Sequence, residues 1–336
     1  MGEVILDIVE EISNFIGKKQ GNVHLDGNIV PVSSENFHKL EKLESNKKIV
    51  FIDGGNAELF SAADFSLHFV RTCGLIFKNN KKIDSIKEEF YVLVNAVEEK
   101  GKLMYKAKIF SLKGKNEEIA FNSDDQTLKD GVNRSEISKI GNIVRRFAEL
   151  TLANKVIDKA DIVVLDGSLK TSIVGESVYM QRIYDKAIEK NVIISSLCKT
   201  NRIFTDKGGC FISQLETDFD QWYYHPVIEL NNKKHQAELS FVKLNKSSEY
   251  VFCFEIFKNQ KENLKEILSM LANNSNDAVF PGYPYGLILA DKFARVSNEE
   301  REYLLTVFQA KSGKLWEQIK KQLSVVNAHS ILDNIS

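Results

Sequence analysis

Proline is scarce in this chain, with 4 in 336 residues, and so are tryptophan, with 2, and cysteine, with 4. The low proline count leaves no Pro-rich linker and no collagen-like stretch. The cysteines, Cys73, Cys198, Cys210 and Cys253, form no Cys-x-x-Cys, which excludes the usual zinc-binding and redox spacings. Scattered thiols suit a reducing cytoplasm. Neither sign of charge dominates: 45 Lys+Arg against 46 Asp+Glu leave −1, so the chain has no global basic field for coating nucleic acid. No apolar run reaches the roughly 20 residues that span a bilayer. The first residues, MGEVILDIVEEISNFIGKK, lack the basic start of a signal peptide. Leu6 stands where a myristoylation signal carries Ser or Thr. The G-x-x-x-x-G-K-[ST] phosphate loop is absent. A soluble, cytoplasmic chain of ordinary globular composition is expected, 43% hydrophobic and 27% charged.

What the sequence does have, twice, is an aliphatic strand running into Asp-Gly: KIVFIDGG at 48–55 and DIVVLDGSL at 161–169. A carboxylate at the end of a buried strand must be paired, hydrogen-bonded or metal-bound. Asp-Gly also simply ends strands in turns, so one such carboxylate alone says little.

The pattern around them predicts the layout. Residues 3–17 read as an amphipathic helix and 20–47 as a polar, irregular connector. Strands are expected at 48–53, 66–77, 88–99 and 102–110, the last two joined by a hairpin turn at Gly101. Residues 111–134 read as a polar loop or insertion. A helix over about 135–158, capped by Ser135, carries the stripe Ile137, Ile140, Ile143, Val144, Phe147, Leu150 and Leu152. The strand at 161–166 is nearly all apolar, as in a parallel sheet. A helix at about 175–190 and a buried strand at 191–197 follow. Strands at 222–230, 237–244 and 251–257 come next, then helices near 259–272, 284–295, 297–311 and 313–332. No linker composition divides the chain. The expected organisation is an N-terminal helix and connector (1–47), then one domain with a core at about 48–200 and an elaborated C-terminal part at 201–336.

With the hairpin of 88–110 taken as one β unit, the order β-β-β-α-β-α-β is that of a ribonuclease H-like mixed sheet flanked by helices. In that layout the first strand pairs in parallel with the strand after the first helix. Neighbouring strands lie about 4.8 Å apart, so Asp53 and Asp166 would project side by side. Two carboxylates so placed repel unless cations lie between them, and hard oxygen ligands suit Mg2+ or Mn2+.

The ordered set FIDGG, RRFAELTLA then IVVLDGSL, SLCKTNRI, WYYHPV, GYPYGLILADKFARVS and NAHSILDNI resembles the NurA nucleases from about residue 48 to the end. That resemblance implies a homodimeric nuclease that acts on DNA and depends on manganese (or Mg2+). By resemblance it is of 5′–3′ exonuclease and single-strand endonuclease type. A hexameric HerA-type ATPase would be its partner in end resection and double-strand-break repair. Where Asp-Gly is more often followed by Ser in this family, the chain has a second glycine, Gly55. Residues 111–134 match no family motif.

The resemblance also assigns roles. Asp53 and Asp166 would ligate the two ions of a two-metal site, with Glu149, on the helix before the second strand, as third acid; Glu136 and Glu89 are its rivals. Lys199 would stand near the scissile phosphate. His329 and Asp333, four apart on the last helix and so on one face, would bring a further ligand in His329. Tyr285 and Asp291 could line a DNA channel, with Tyr283 read as packing around Pro284. Arg145 and Arg146, with Lys311, Lys314, Lys320 and Lys321, are candidate phosphate contacts, although solvated helix faces account for them nearly as well. Two other functions compete. An actin-like ATPase or sugar kinase needs Gly-rich phosphate loops that DGGNAELF and DGSLKTSI do not supply. A non-catalytic adaptor clamping DNA for a translocase would not need the acids.

Overall fold

The computed structural model describes residues 2–16, 19–25, 27–199, 203–230 and 232–326. Its elements in chain order are α1 (Gly2–Phe15), β1 (Val23–Leu25), β2 (Asn28–Val30), β3 (Phe37–Lys39), β4 (Ile49–Ser61), β5 (Phe65–Lys78), β6 (Lys81–Glu99), β7 (Lys102–Ser111) and β8 (Glu117–Asn122). Then come α2 (Lys139–Val156), β9 (Ile162–Asp166), α3 (Glu176–Lys190), β10 (Ile193–Cys198), β11 (Phe204–Thr205), β12 (Trp222–Tyr224), β13 (Ala237–Lys243) and β14 (Phe252–Phe257). Four helices close the described chain: α4 (Leu264–Asn273), α5 (Tyr285–Ala294), α6 (Asn298–Ser312) and α7 (Leu315–Val326).

One mixed sheet of 11 strands organises them, in the order β3-β12-β13-β14-β10-β9-β4-β5-β6-β7-β8. Its centre is the expected one. β4 runs antiparallel to β5 and parallel to β9, with Ile49 opposite Ile162 and Ile52 opposite Leu165. β10 lies parallel on the far side of β9. The central strands read as continuous apolar runs because both faces are covered. On one face α2 and α3 bury Leu150, Leu152, Val156, Met180 and Ile183 against Val50, Ile52, Val163 and Leu165. On the other, α4 and α5 bury Ile267, Leu271, Leu287, Ala290 and Ala294 against Phe51, Leu75 and Val164.

Several expectations are corrected. β4 does not stop at Asp53: it continues through both glycines to Ser61, because β5 pairs with it along that whole length. Residues 20–47 are not an irregular connector. β1 and β2 form a small sheet with β11, and β3 joins the main sheet through β12. Strands of three residues carry too little alternation to be read from sequence. Within 111–134, β8 adds an edge strand on β7. Ser135 does not cap α2. It is buried, its carbonyl accepts the Tyr105 hydroxyl, and the helix starts at Lys139. β12 ends at Tyr224, short of the expected 230, just before Pro226, which has no N–H to give to a ladder.

The C-terminal helices are tied to the centre of the sheet. Arg71 of β5 donates to Glu89 (2.7 Å), to the Arg295 carbonyl (2.9 Å) and to both carboxylate oxygens of Glu300. Arg301 donates to the carbonyls of Glu58 and Leu59 on β4. Trp316, Ile319 and Leu323 of α7 pack on Leu59, Phe60, Leu67 and Phe69. The end of α5 is thereby fixed over the middle of β4.

Candidate active site

Alternation along β4 sends Asp53 and Gly55 to the α5 face and Gly54 to the α2 face. The surroundings follow that alternation. A Cβ on Gly54 would stand 2.6 Å from Glu149 Oε1, and one on Gly55 would stand 2.3 Å from the Ala294 carbonyl oxygen. β9 has already ended beside β4 at this level, and its last residue, Asp166, points to the same side as Asp53. The two glycines are therefore positions where a Cβ is excluded, by the Glu149 side chain of α2 on one face and by the backbone at the end of α5 on the other.

Three acids converge there. Asp53, Asp166 and Asp291 each offer a carboxylate oxygen, and these oxygens all lie within 4.8 Å of one another. Asp291 comes from α5. Lys199, just past β10, bridges two of the acids, with Nζ 2.6 Å from Asp166 Oδ2 and 3.2 Å from Asp291 Oδ1. The Tyr283 hydroxyl donates to Asp166 Oδ1 (3.2 Å), and the Gly54 N–H donates to Asp53 Oδ1 (2.7 Å).

The electrostatics reflect the crowding. Burial, then Asp166, then Glu149 push the Asp53 carboxyl from its ordinary 3.8 up to about 8, against the Gly54 N–H and Lys199, which pull it down. Burial alone would lower Lys199, but Asp166, Asp291 and Asp53 outweigh it and hold the ammonium above its ordinary value. Burial and then Asp166 drive the Tyr283 phenol far up, so it stays protonated and donating.

Glu149 stands apart from this group. It is 4% exposed and approaches β4 from the α2 face. Its oxygens pair with Arg145 and, at 3.5 Å, with Arg146. Burial raises its carboxyl despite both arginines. Of its rivals, Glu89 is tied to Arg71 and Lys87, and Glu136 is exposed ahead of α2.

The remaining expected residues fall in different places. Arg146 donates inside the protein, to Glu176 (2.9 Å), the Ser168 carbonyl (2.7 Å) and, at 3.5 Å, Glu149. Arg145, partly exposed, also donates to the Gly54 carbonyl (3.0 Å). Tyr285 is exposed at the opposite end of α5, edge-on to Phe77. His329 and Asp333 lie outside the described residues. Asp291, read from sequence as a channel residue, stands among the acids. Tyr283, read as packing, is buried and also touches Asp166. The buried face of α5, Leu287, Ala290 and Ala294, predicts that Asp291 flanks the sheet; nothing in the sequence points to the Tyr283 hydroxyl.

The chain matches the NurA domain over residues 47–296. Among solved structures it is similar to the NurA nuclease from Sulfolobus solfataricus, with 15% identity and a TM-score of 0.54 over 92% of this chain and 95% of that one. It is also similar to Endonuclease V from Ciona intestinalis, solved with a 24mer DNA containing an inosine followed by a ribo-adenosine. There the identity is 11% and the TM-score 0.39, over 90% of this chain and 99% of that one. No curated protein sequence matches it significantly. The domain match takes in β4, β9, β10 and α5, and with them all three converging aspartates, so the chain belongs to the NurA domain family of nucleases.

Proposed function

We propose that this protein is a divalent-cation-dependent deoxyribonuclease whose ion is held by Asp53, Asp166 and Asp291. The convergence of three carboxylate oxygens within 4.8 Å carries the reading. The donors are all hard oxygens, which suit Mn2+ or Mg2+. Burial first, and then repulsion from Asp166 and Glu149, hold the Asp53 carboxyl high, and a cation would favour its charged form. The Lys199 ammonium already acts as a stand-in cation between Asp166 and Asp291.

A divalent cation in this position supplies Lewis acidity toward the phosphodiester and the attacking water. The protein's own groups do the rest. Asp53 is fixed by its strand and by the Gly54 N–H. Asp166 is oriented by the Tyr283 hydroxyl. Lys199, beside Asp166 and Asp291, would neutralise charge growing on the phosphate. A two-ion arrangement would draw on Glu149 as a further ligand, and that carboxylate is paired with Arg145.

The finer reading is a Mn2+-using enzyme with 5′–3′ exonuclease and single-strand endonuclease activity. It would work as a homodimer with a HerA-type hexameric ATPase in DNA end resection. A net charge of −1 supports dependence on a partner, because non-specific DNA affinity grows with the number of phosphates neutralised. The exposed apolar residues of α1, among them Ile5, Leu6, Ile8 and Val9, leave surface for protein contacts.

Cleavage of end-labelled DNA with Mn2+, with Mg2+ and with chelator tests the reading. Wild type should cut only with a divalent cation, and Asp166→Asn should not cut under any of the three conditions. Cleavage in chelator, or by folded Asp166→Asn, would refute it. A second expectation concerns Gly55. Gly55→Ser restores the residue commoner in the family, but its Cβ would meet the Ala294 carbonyl. The end of α5 must move, and Asp291 with it. Misplacing a reacting group by about 1 Å can cost about 10²-fold, and a loss of that order in cleavage rate is expected. An unchanged rate would show that Asp291 need not stay where it is.

A further inference from the structure

The turn that follows Asp166 is held at almost every polar atom. The Gly167 N–H donates to the Leu197 carbonyl (3.1 Å), and the Gly167 carbonyl accepts from the Cys198 thiol (2.9 Å). The Ser168 carbonyl accepts from Arg146 (2.7 Å). Two donors of the turn, the Ser168 hydroxyl and the Leu169 N–H, go to one group, the carboxylate of Glu255. Ser168 Oγ lies 3.0 Å from each Glu255 oxygen, and the Leu169 N–H donates to Oε2 at 2.6 Å.

Glu255 belongs to β14, two strands away from Asp166. It reaches the turn across β10, where Ser196 stands directly opposite it and donates to it at 3.4 Å. It is 3% exposed, and the buried His235 lies 3.2 Å from its Oε1. It touches none of the three converging aspartates by any recorded contact. A fully buried carboxylate is costly unless several donors satisfy it. Its shortest hydrogen bonds, from the Ser168 hydroxyl and the Leu169 N–H, come from a single turn, and that turn begins at a proposed metal ligand.

We propose that Glu255 is a positioning residue for the nuclease site: by clamping Ser168 and Leu169 it sets the direction in which Asp166 leaves β9. The inference rests on the metal reading above. Gly167 has φ +102°, a left-handed conformation in which glycine gives the turn little stiffness of its own. The orientation of the Asp166 carboxylate therefore depends on what grips the residues after it. Outer groups that orient a ligand typically affect metal affinity by about 10- to 100-fold.

Glu255→Gln keeps the shape but places an amide NH2 where one of two accepting oxygens is needed. Mn2+ titrated calorimetrically into the full-length protein, without DNA, reads the effect separately from turnover. Wild type, Glu255→Gln, Ser168→Ala and Asp166→Asn are compared. Glu255→Gln should bind Mn2+ about 10-fold or more weakly, Ser168→Ala less severely so, and Asp166→Asn weakest of all. In cleavage assays Glu255→Gln should lower kcat and raise the Mn2+ requirement, with KM for DNA unchanged. A merely structural role would lower the active fraction and leave Mn2+ affinity as in wild type. Wild-type affinity in Glu255→Gln alongside lost affinity in Asp166→Asn would overturn the positioning role and leave the metal site standing. Wild-type affinity in Asp166→Asn would overturn the metal site itself. If Glu255→Gln does not fold, Ser168→Ala carries the same comparison, and unchanged Mn2+ affinity in it would overturn the clamp.

Discussion

Asp53→Asn is expected to reduce DNA cleavage by about 10³-fold or more while making the cation-free protein more stable at pH 8. The first effect follows from removing a ligand to an ion whose charge stabilisation is worth several kcal/mol, at about 1.4 kcal/mol per tenfold in rate. The second follows from linkage. The Asp53 carboxyl is raised from 3.8 to about 8 in the folded protein, by burial first and by Asp166 next. Between those values the folded state keeps a proton that the unfolded chain has lost, so stability falls as pH rises from about 4 to about 8 and levels off above that. Asparagine carries no such proton, and the slope should disappear. Thermal melts of both proteins across that range, in chelator, read it directly. Adding Mn2+ at pH 8 should raise the melting temperature of wild type more than that of Asp53→Asn. A pH profile identical in the two proteins would mean that Asp53 is not strained by its neighbours.

The second large effect is expected on the α2 face. Arg146 lies between two buried carboxylates, Glu149 at 4% and Glu176 at 2% exposure, and also holds the Ser168 carbonyl. Glu176 in turn accepts the backbone N–H groups of Ser172 and Ile173 at the entry to α3. Arg146→Met would fill the space but leave both acids short of their shared cation. Breaking a buried pair in this way typically costs about 3–5 kcal/mol. Arg146→Lys should not restore the loss, because a single ammonium cannot serve three acceptors spread around a planar guanidinium. Arg146→Met combined with Glu176→Gln should recover part of it. Urea unfolding of the three variants measures this. A loss below about 1 kcal/mol for Arg146→Met would show that water already screens the pair.

The centre of the fold was legible because burial on both faces leaves an unmistakable mark. Val50 and Ile52 face α2 and α3, Phe51 faces α5, and the resulting apolar run admits few readings other than a central strand. Asp166 was legible for the same reason, as the polar residue that ends such a run. Asp53 was legible as a residue but not as a place, since a strand passing on through Gly54 and Gly55 depends on its pairing with β5 far from those glycines in sequence. β1, β2 and β3 were not legible. They are held by partners at 204–205 and 222–224, not by any pattern of their own. Asp291 and Tyr283 reach the site only because α5 folds back over β4, and seating that helix takes Gly55, Gly286 against the Phe51 ring, and the Arg71 and Arg301 contacts. None of these announces itself locally. The resemblance put a third acid on α2; Glu149 is buried beside Gly54, outside the group of three aspartates, and its arginine partners could be known only from three dimensions.

Anomalous diffraction from a crystal grown with Mn2+ tests the central assignment most directly. Strong anomalous density is expected within coordination distance of the carboxylates of Asp53, Asp166 and Asp291, with Lys199 moved off the two acids it bridges. Density bound elsewhere, or none at this site in crystals of protein that cuts DNA, would contradict it.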